Sequence, residues 1–206
     1  MASLAARIEA ATPGSRDRGV DALRALAIVG VVLGHWLVTA WDLGAAGAVH
    51  ISSPLAYLPE LTPMSWVFQT LAVFFLVGGY AAARGLRSSA GAWVRARTGR
   101  LLGPVVPLLL VWAGIAAGMA LRGSSAGTIR VMVLPAIGPL WFLAVFAALT
   151  AATPLLLRAN PVATAAAAFA VVLGVDLARF GLGAPAWTGW ANLAAGWLVP
   201  YALGIA

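Results

Sequence analysis

Three ionisable side chains lie inside the first apolar segment of the chain, namely Asp21, Arg24 and His35. Such groups are costly to place in a bilayer, and within a span they indicate function. Arg24 and His35 are eleven residues apart, which on a helix is about three turns, or roughly 16 Å along one face. Asp21 precedes Arg24 by three residues and shares nearly the same face. The spacing predicts a polar stripe that runs from the cytoplasmic mouth of the helix into the membrane.

His35 is the deepest of these groups. Counted from Val20, it lies about 22 Å into a hydrocarbon layer of roughly 30 Å, so we expect it to face other helices or a water-filled cavity. A low dielectric favours the neutral ring, which can accept a proton. No carboxylate lies one turn away on the same helix, so an orienting group would come from Asp176, Glu60 or Asp42. The alternative is a structural histidine, hydrogen-bonded to another helix.

A second group of candidates precedes the third apolar segment, where Arg95, Arg97 and Arg100 follow closely on one another. Arg97 and Arg100 share a face if the helix begins early. Their forked guanidinium groups suit phosphate, which predicts a site for a phosphorylated ligand that arrives from the cytoplasm. The alternative is that these charges only mark the cytoplasmic side. Cysteine is absent, which excludes Cys-based metal sites and a Cys nucleophile.

The composition is that of a membrane protein. Of the 206 residues, 62% are hydrophobic and 9% are charged, whereas about a quarter are charged in a soluble domain. The mean hydropathy is +0.95. A spanning helix needs about 20 apolar residues. The sequence predicts an all-α, polytopic transmembrane bundle of about six spans, near residues 20–41, 64–83, 101–121, 139–157, 162–178 and 191–206. Tryptophans near the span ends predict an outer interfacial belt of Trp41, Trp66, Trp187 and Trp190, with Trp93 as its inner counterpart.

Arginine placement predicts the topology. All thirteen basic residues are arginine, and the net charge is +7. Most lie before the first span, between the second and third spans, or between the fourth and fifth, namely Arg7, Arg16, Arg18, Arg84, Arg87, Arg95, Arg97, Arg100 and Arg158. The positive-inside rule therefore places the N-terminus in the cytoplasm and residues 42–63, 122–138 and 179–190 outside. This explains the basic balance better than nucleic-acid binding. We expect a cytoplasmic segment at 1–19 and a transmembrane domain at 20–206. Cleavage at Ala46-Gly47-Ala48 is the weaker alternative, because the first apolar run is too long for a signal peptide.

Four motifs resemble those of one family. The segment from Arg18 to His35 resembles the first helix of the acyltransferase-3 superfamily of bacterial multipass membrane O-acyltransferases. Its signature is a basic residue, ten intervening residues and a histidine, which Arg24 and His35 match. A second feature, Arg-x-x-Arg at the third helix, matches Arg97-Thr-Gly-Arg100. Softer matches are Phe74-Phe-Leu-Val-Gly78-Gly-Tyr80, where Gly78 replaces the commoner serine, and Gly138-Pro-Leu-Trp141-Phe-Leu.

The resemblance implies transfer of an acyl group from cytoplasmic acyl-CoA to a hydroxyl of a cell-envelope glycan or metabolite, in the plasma (inner) membrane. It implies that His35 is catalytic with Arg24 as its partner, and that Arg97 and Arg100 contact the donor. From its spacing to Arg24, we expect Asp21 to be a supporting residue. Acyl-CoA is then a substrate, and no bound cofactor or metal is expected. The expected partners are the donor, the acceptor and membrane lipid, without nucleic acid. The family fold usually has about ten helices, so a chain with six resembles its N-terminal part.

Two other interpretations of the sequence stay open. A polar stripe on a helix could line the path of a transporter, which predicts internal repeats or helices broken at the midplane. The chain could also be a non-catalytic subunit or fragment of a longer membrane enzyme.

Overall fold

The computed structural model of the chain describes residues 3–11, 13, 17–44, 49–86 and 89–206. Arg16, Arg87 and the possible cleavage site at 46–48 lie outside these ranges. The helices of the described residues are α1 (Leu4–Ala11), α2 (Arg18–Val38), α3 (Thr62–Val67), α4 (Leu71–Gly85), α5 (Ala90–Leu102), α6 (Val105–Leu121), α7 (Ala126–Ile137), α8 (Leu140–Leu156), α9 (Pro161–Asp176) and α10 (Trp190–Ile205). Strands β1 (Ala40–Leu43) and β2 (Val49–Ser52) form one antiparallel hairpin.

The predicted helical membrane fold is confirmed. Within the described residues, 5 helical stretches are long and apolar enough to cross a membrane, and they are Arg18–Val38, Pro59–Gly85, Ala90–Leu121, Ala126–Leu156 and Pro161–Gly181. The sixth predicted span corresponds to α10, which has 16 residues and packs against α4 and α9. The architecture is therefore an all-α bundle of about six spans with one small hairpin.

Helix α2, which carries the polar stripe, has clear signals at both ends. Its N-cap is Asp17, whose Oδ1 accepts hydrogen bonds from the backbone N–H groups of Gly19 and Val20 at 3.0 and 3.1 Å. Asp is a preferred N-cap because its side chain satisfies N–H groups that the helix leaves unpaired. The helix ends at Val38 because Thr39 adopts an extended conformation and leads into β1. The first span is thus a few residues shorter at its outer end than the predicted 20–41.

The second span is interrupted at residues 68–70, between α3 and α4. The interruption packs on the small-residue face of α2, where a Cβ atom on Gly30 would collide with the Thr70 side chain. The Thr70 hydroxyl donates a hydrogen bond of 2.8 Å to the carbonyl oxygen of Ala27. A Cβ atom on Gly34 would similarly press on the Phe68 backbone and Cβ, at 3.2 and 3.3 Å. Glycines four residues apart therefore let α2 and the second span approach closely.

The segment 122–138 is not the outer loop that hydropathy predicts, because most of it forms α7. The hydroxyl of Ser125 caps this helix by accepting a hydrogen bond from the Thr128 N–H at 3.1 Å. A helix of 12 residues is too short to cross a bilayer alone, so a search for spans of about 20 residues passes over it. The third span also begins earlier than predicted, since α5 starts at Ala90 and places Arg97 and Arg100 on a helix.

The loop predicted for residues 42–63 contains the hairpin, which the sequence interpretation did not foresee. In its register Ala40 lies opposite Ser52, and Trp41 lies opposite Ile51. The indole Nε1 of Trp41 donates a hydrogen bond of 3.1 Å to the carbonyl oxygen of Val131. This bond ties the hairpin, which follows the C-terminal end of α2, to α7.

The core of the bundle lies between α4, α8 and α10. Phe75, Phe146 and Tyr201 are buried, and the ring of Phe75 stacks on that of Trp197 with centroids 4.9 Å apart. Helices α4 and α10 approach closely at Gly79, where a Cβ atom would collide with the carbonyl oxygen of Tyr201, and at Gly204, where it would collide with that of Leu76.

The tryptophans divide into two groups by exposure. Three of the predicted outer belt are widely exposed, and they are Trp66, Trp187 and Trp190. Trp93 is instead 8% exposed and belongs to the core cluster, so its assignment to an inner belt was wrong.

Candidate active site

His35 lies exposed on the wall of a cavity of about 780 Å³ between α2, α4, α7, α8 and the hairpin. Large aromatic side chains form much of the wall, and they are Trp36, Trp41, Phe74, Trp141 and Phe142. The volume is in the range of sites that bind small molecules or cofactors. The expectation that the ring faces a cavity between elements is therefore met by the geometry.

The His35 ring is oriented by its own helix. Its Nδ1 lies 2.7 Å from the carbonyl oxygen of Val31. A carbonyl only accepts hydrogen bonds, so Nδ1 carries the proton and donates it. Nε2 makes no hydrogen bond with any residue that the structure describes. In the neutral ring, Nε2 therefore keeps the lone pair that can accept a proton.

None of the three outer carboxylates considered for His35 bonds to it in the described structure, so that interpretation was wrong. Asp42 accepts a hydrogen bond of 3.0 Å from the Tyr57 hydroxyl, which raises the pKa of Tyr57 above its ordinary value. Asp176 accepts a hydrogen bond of 2.7 Å from the amide of Asn192. The backbone carbonyl group of Val31, one helical turn before His35, orients the imidazole instead, because Nδ1 lies within hydrogen-bond distance of it.

Arg24 and His35 share the same face of α2 but do not touch. The residues between them on that face are Ile28 and Val31, at helical spacings of three and four. Both line the cavity, whereas Arg24 does not. The stripe is therefore polar at its two ends and apolar in the middle. Arg24 makes no direct contact with His35 in the described structure, so the partnership that the resemblance implies stays a prediction.

Arg24 is paired instead with Asp21. Its Nη1 lies 3.6 Å from Asp21 Oδ1, and the two side chains are 38% and 33% exposed. The pair is one turn apart on α2, as the spacing of three residues predicts. Asp21 thus holds the Arg24 side chain at the arginine-rich end of the bundle, where α2 begins and α4 ends.

Arg97 joins this end of the bundle from α5. It is half-buried, its Cζ lies 5.8 Å from the centroid of the Trp93 ring, and its charge is in electrostatic range of Arg24, Arg100 and the Tyr201 hydroxyl. Arg100 is exposed, and its Nε donates a hydrogen bond of 3.2 Å to the carbonyl oxygen of Ala96. Arg24 from α2 and Arg100 from α5 are thus both in electrostatic range of Arg97, and one of the three guanidinium groups, that of Arg24, is paired with Asp21. Like charges held together in this way favour an anionic ligand such as a phosphate.

Tyr201 is a site-proximal residue that the sequence interpretation missed. It is fully buried, and its hydroxyl lies 2.7 Å from Thr153 Oγ1. The Thr153 hydroxyl donates at 3.1 Å to the Leu149 carbonyl oxygen, so the Tyr201 hydroxyl donates to Thr153. The sequence signal that could have identified it is a tyrosine inside an apolar run, because a buried tyrosine hydroxyl needs a hydrogen-bond partner. The bond between Tyr201 and Thr153 joins α10 to α8 and holds the Tyr201 hydroxyl within electrostatic range of Arg97.

Tyr80, from the second soft motif, links α4 to the start of α2. Its hydroxyl donates a hydrogen bond of 3.2 Å to Asp17 Oδ2, and the Arg84 Cζ lies 4.1 Å from the centre of its ring. The backbone N–H of Val20 chiefly, with Tyr80, the N–H of Gly19 and the charge of Arg84, lowers the pKa of Asp17 below its ordinary value. The carboxylate that caps α2 is thereby also the anchor of α4.

All four motifs that carry the resemblance meet in two places. Residues of the first helix, the second helix and the fourth helix line one cavity with His35, as Phe74, Gly138, Trp141 and Phe142 show. The Arg-x-x-Arg pair lies at the arginine-rich end, beside Arg24. Neither a curated protein nor a solved structure matches the chain. A family model described as an acyltransferase domain matches residues 17–206, almost the whole chain. The chain therefore belongs to the acyltransferase-3 family of membrane acyltransferases.

Proposed function

We propose that this membrane acyltransferase moves an acyl group from cytoplasmic acyl-CoA to a hydroxyl group of a cell-envelope glycan or metabolite, in the plasma membrane. His35 acts as the general base. The observation that carries the proposal is the 2.7 Å hydrogen bond from His35 Nδ1 to the Val31 carbonyl oxygen, on the wall of a large cavity. It leaves Nε2 as a proton acceptor where a substrate has room to bind.

The proposed reaction is a direct transfer. The acceptor hydroxyl gives its proton to Nε2 of His35 while its oxygen attacks the thioester carbonyl carbon. The tetrahedral intermediate collapses with cleavage of the C–S bond, and the CoA sulfur leaves with the proton returned by the imidazolium. General base catalysis of this kind contributes about 10²–10⁴-fold in rate. A covalent acyl-histidine is the less favoured variant, because it requires the ring to attack the thioester itself.

The three arginines at the other end of the stripe are proposed to bind the phosphates of the donor. Arg97 and Arg100 contact them from α5, as the resemblance implies. Arg24 lies with these two residues and about 16 Å along α2 from His35, so we assign it to donor binding rather than to the reacting atoms. Asp21 is a positioning residue that holds Arg24 through their ion pair.

The test uses membranes from cells that express the whole chain, supplied with acyl-CoA and a total extract of envelope glycans and metabolites. The readouts are CoA release and the mass of acylated products. We expect His35→Ala to reduce turnover at least 100-fold. His50→Ala is the matched control, because His50 is the other histidine of the sequence and lies exposed in β2 outside the cavity. Equal turnover by His35→Ala and the wild type refutes the assignment.

The interruption at residues 68–70 is the feature that a transporter would share. It does not open the helix to a path, because Thr70 bonds to Ala27 across the contact with α2. The same vesicles can report solute flux without acyl-CoA. Flux that survives in the absence of any acyl-CoA turnover would favour transport over acyl transfer.

A further inference from the structure

The cavity continues past His35 toward the outer end of α2. Its lining on this element runs from Ile28 through His35 to Thr39, and continues to Ala40 and Trp41. From residue 28 to the end of α2 at residue 38 the wall extends about 15 Å at helical rise, and extended chain continues it to Ala40. We use the term outer chamber for the part beyond His35, whose walls are Thr39, Ala40, Trp41, Ile51, Leu134 and Pro135.

The outer chamber offers few polar partners. Thr39 brings one hydroxyl, and the indole N–H of Trp41 is already bonded to the carbonyl oxygen of Val131. A sugar ring carries many hydroxyl groups, and burying these without partners is strongly unfavourable. An aliphatic chain loses nothing polar there and gains from leaving water. The chemistry of the walls therefore favours a hydrocarbon ligand over a glycan.

The chamber also has a fixed far end. Trp41 lies on β1, and its hydrogen bond to α7 joins the two elements that face each other across the chamber. We expect a wall held in this way to limit the length of a chain that lies against it. The thioester carbon must lie beside His35 if the proposed reaction is right, so the group that extends beyond His35 from that carbon is the acyl chain.

We propose that the outer chamber binds the acyl chain of the donor, that the enzyme prefers acyl groups longer than acetyl, and that Ala40 and Ile51 set the upper length. This rests on the proposed function, because it assumes a CoA thioester with its reacting carbon at His35. An apolar chain could also come from a bilayer lipid, which occupies the chamber without reference to the donor. If the acyl chain of the donor occupies the chamber, donor affinity depends on the length of that chain. If a bilayer lipid occupies the chamber, donor affinity does not depend on it.

The experiment measures dissociation constants of the purified full chain for CoA and for its acetyl, butyryl, hexanoyl and octanoyl thioesters. Each buried methylene contributes about 0.8 kcal/mol, so affinity can rise by up to about fourfold per methylene until the chamber is full. Ala40→Phe fills the chamber and is expected to remove this rise while leaving CoA and acetyl-CoA within about twofold. Ala117→Phe makes the same change on α6 outside the cavity, and keeps the wild-type series.

A second variant works in the opposite direction and does not depend on Ala40→Phe folding. Ile51→Ala enlarges the chamber and is expected to extend the rise to longer chains. Equal affinity for all thioesters, or a rise that survives in Ala40→Phe, overturns the chamber proposal. If CoA itself still binds in those cases and binding is lost in Arg97→Ala, the proposed function stands. If neither CoA nor any thioester binds, both proposals fall.

Discussion

The Nδ1 atom of His35 donates a 2.7 Å hydrogen bond to the carbonyl oxygen of Val31, one helical turn earlier on α2. A carboxylate often fixes the tautomer of a catalytic histidine, but a backbone carbonyl serves equally well. Because the acceptor belongs to the main chain of the same helix, the ring orientation depends on α2 alone. The neighbouring helices then have only to hold α2 against the cavity.

The close approach of α4 and α10 predicts that Gly79 tolerates no side chain. We expect Gly79→Ala to lower the free energy of unfolding by about 1–3 kcal/mol, because its Cβ would collide with the backbone of Tyr201. Gly114→Ala is the control, since that glycine lies on α6 with nothing within 4 Å of a Cβ atom. Reversible unfolding in mixed micelles measures both. If Gly114→Ala lowered the free energy of unfolding as much as Gly79→Ala, the result would contradict the packing described.

Two threonines one turn apart on α8 predict different responses to the same substitution. Thr153→Val removes the acceptor of the buried Tyr201 hydroxyl, and we expect the free energy of unfolding to fall by about 1–3 kcal/mol. The buried Thr150 hydroxyl lies near the Tyr201 hydroxyl but meets the distance and angle limits of a hydrogen bond with none of the described residues, so Thr150→Val should lower the free energy of unfolding less. The free energies of unfolding of the two variants, measured in mixed micelles, test this difference. Equal losses in the two variants would show that the Tyr201 bond is not the stabilising contact.

The cap of α2 predicts a pH dependence of stability. The pKa of Asp17 is lowered in the folded chain, first by the N–H of Val20, below a reference value of 3.8. Its stabilising effect is therefore present above about pH 3.8, and is lost as the pH falls through the lower folded value. Asp17→Ala should melt at a lower temperature than the wild type at pH 7, and the gap should close on acidification. Asp17→Asn should lower the melting temperature less than Asp17→Ala does, because asparagine can still cap the helix. A gap that widens toward low pH would argue against this linkage.

The arginine cluster predicts that CoA binding depends on Arg97. A hydrogen bond to a charged group contributes about 1.5–3 kcal/mol, so Arg97→Ala should weaken CoA binding about ten- to a hundredfold. Arg158→Ala removes an exposed arginine between α8 and α9, and should bind CoA like the wild type. Isothermal titration of the two purified variants measures this. Equal weakening would mean that only the net charge of this face matters.

The sequence was sufficient for the membrane fold and for the face shared by Arg24 and His35, because both follow from the period of the helix. The sequence predicted that Arg97 and Arg100 share a helix face if the third span begins early. It did not decide that this span starts at Ala90, as α5 does. It was insufficient for α7, because a helix of 12 residues is too short to register as a span. The hairpin was missed as well, since two strands of 4 residues leave little pattern.

The partners in the site depend on tertiary contacts, and no local pattern encodes them. The bond from Thr70 to Ala27 joins residues 43 apart, and that between Thr153 and Tyr201 joins residues 48 apart. The orientation of His35 was within reach, because its acceptor lies one turn away. It was missed because only side chains were considered as acceptors.

The most direct test of the central claim is the protonation state of the His35 ring, measured by nitrogen NMR on histidine-labelled protein in lipid. Substituting His50→Gln leaves His35 as the one labelled histidine of the chain. In the neutral ring we predict the proton on Nδ1 and an unprotonated Nε2, as the hydrogen bond to Val31 requires. A neutral ring that carries its proton on Nε2 would contradict its role as the base.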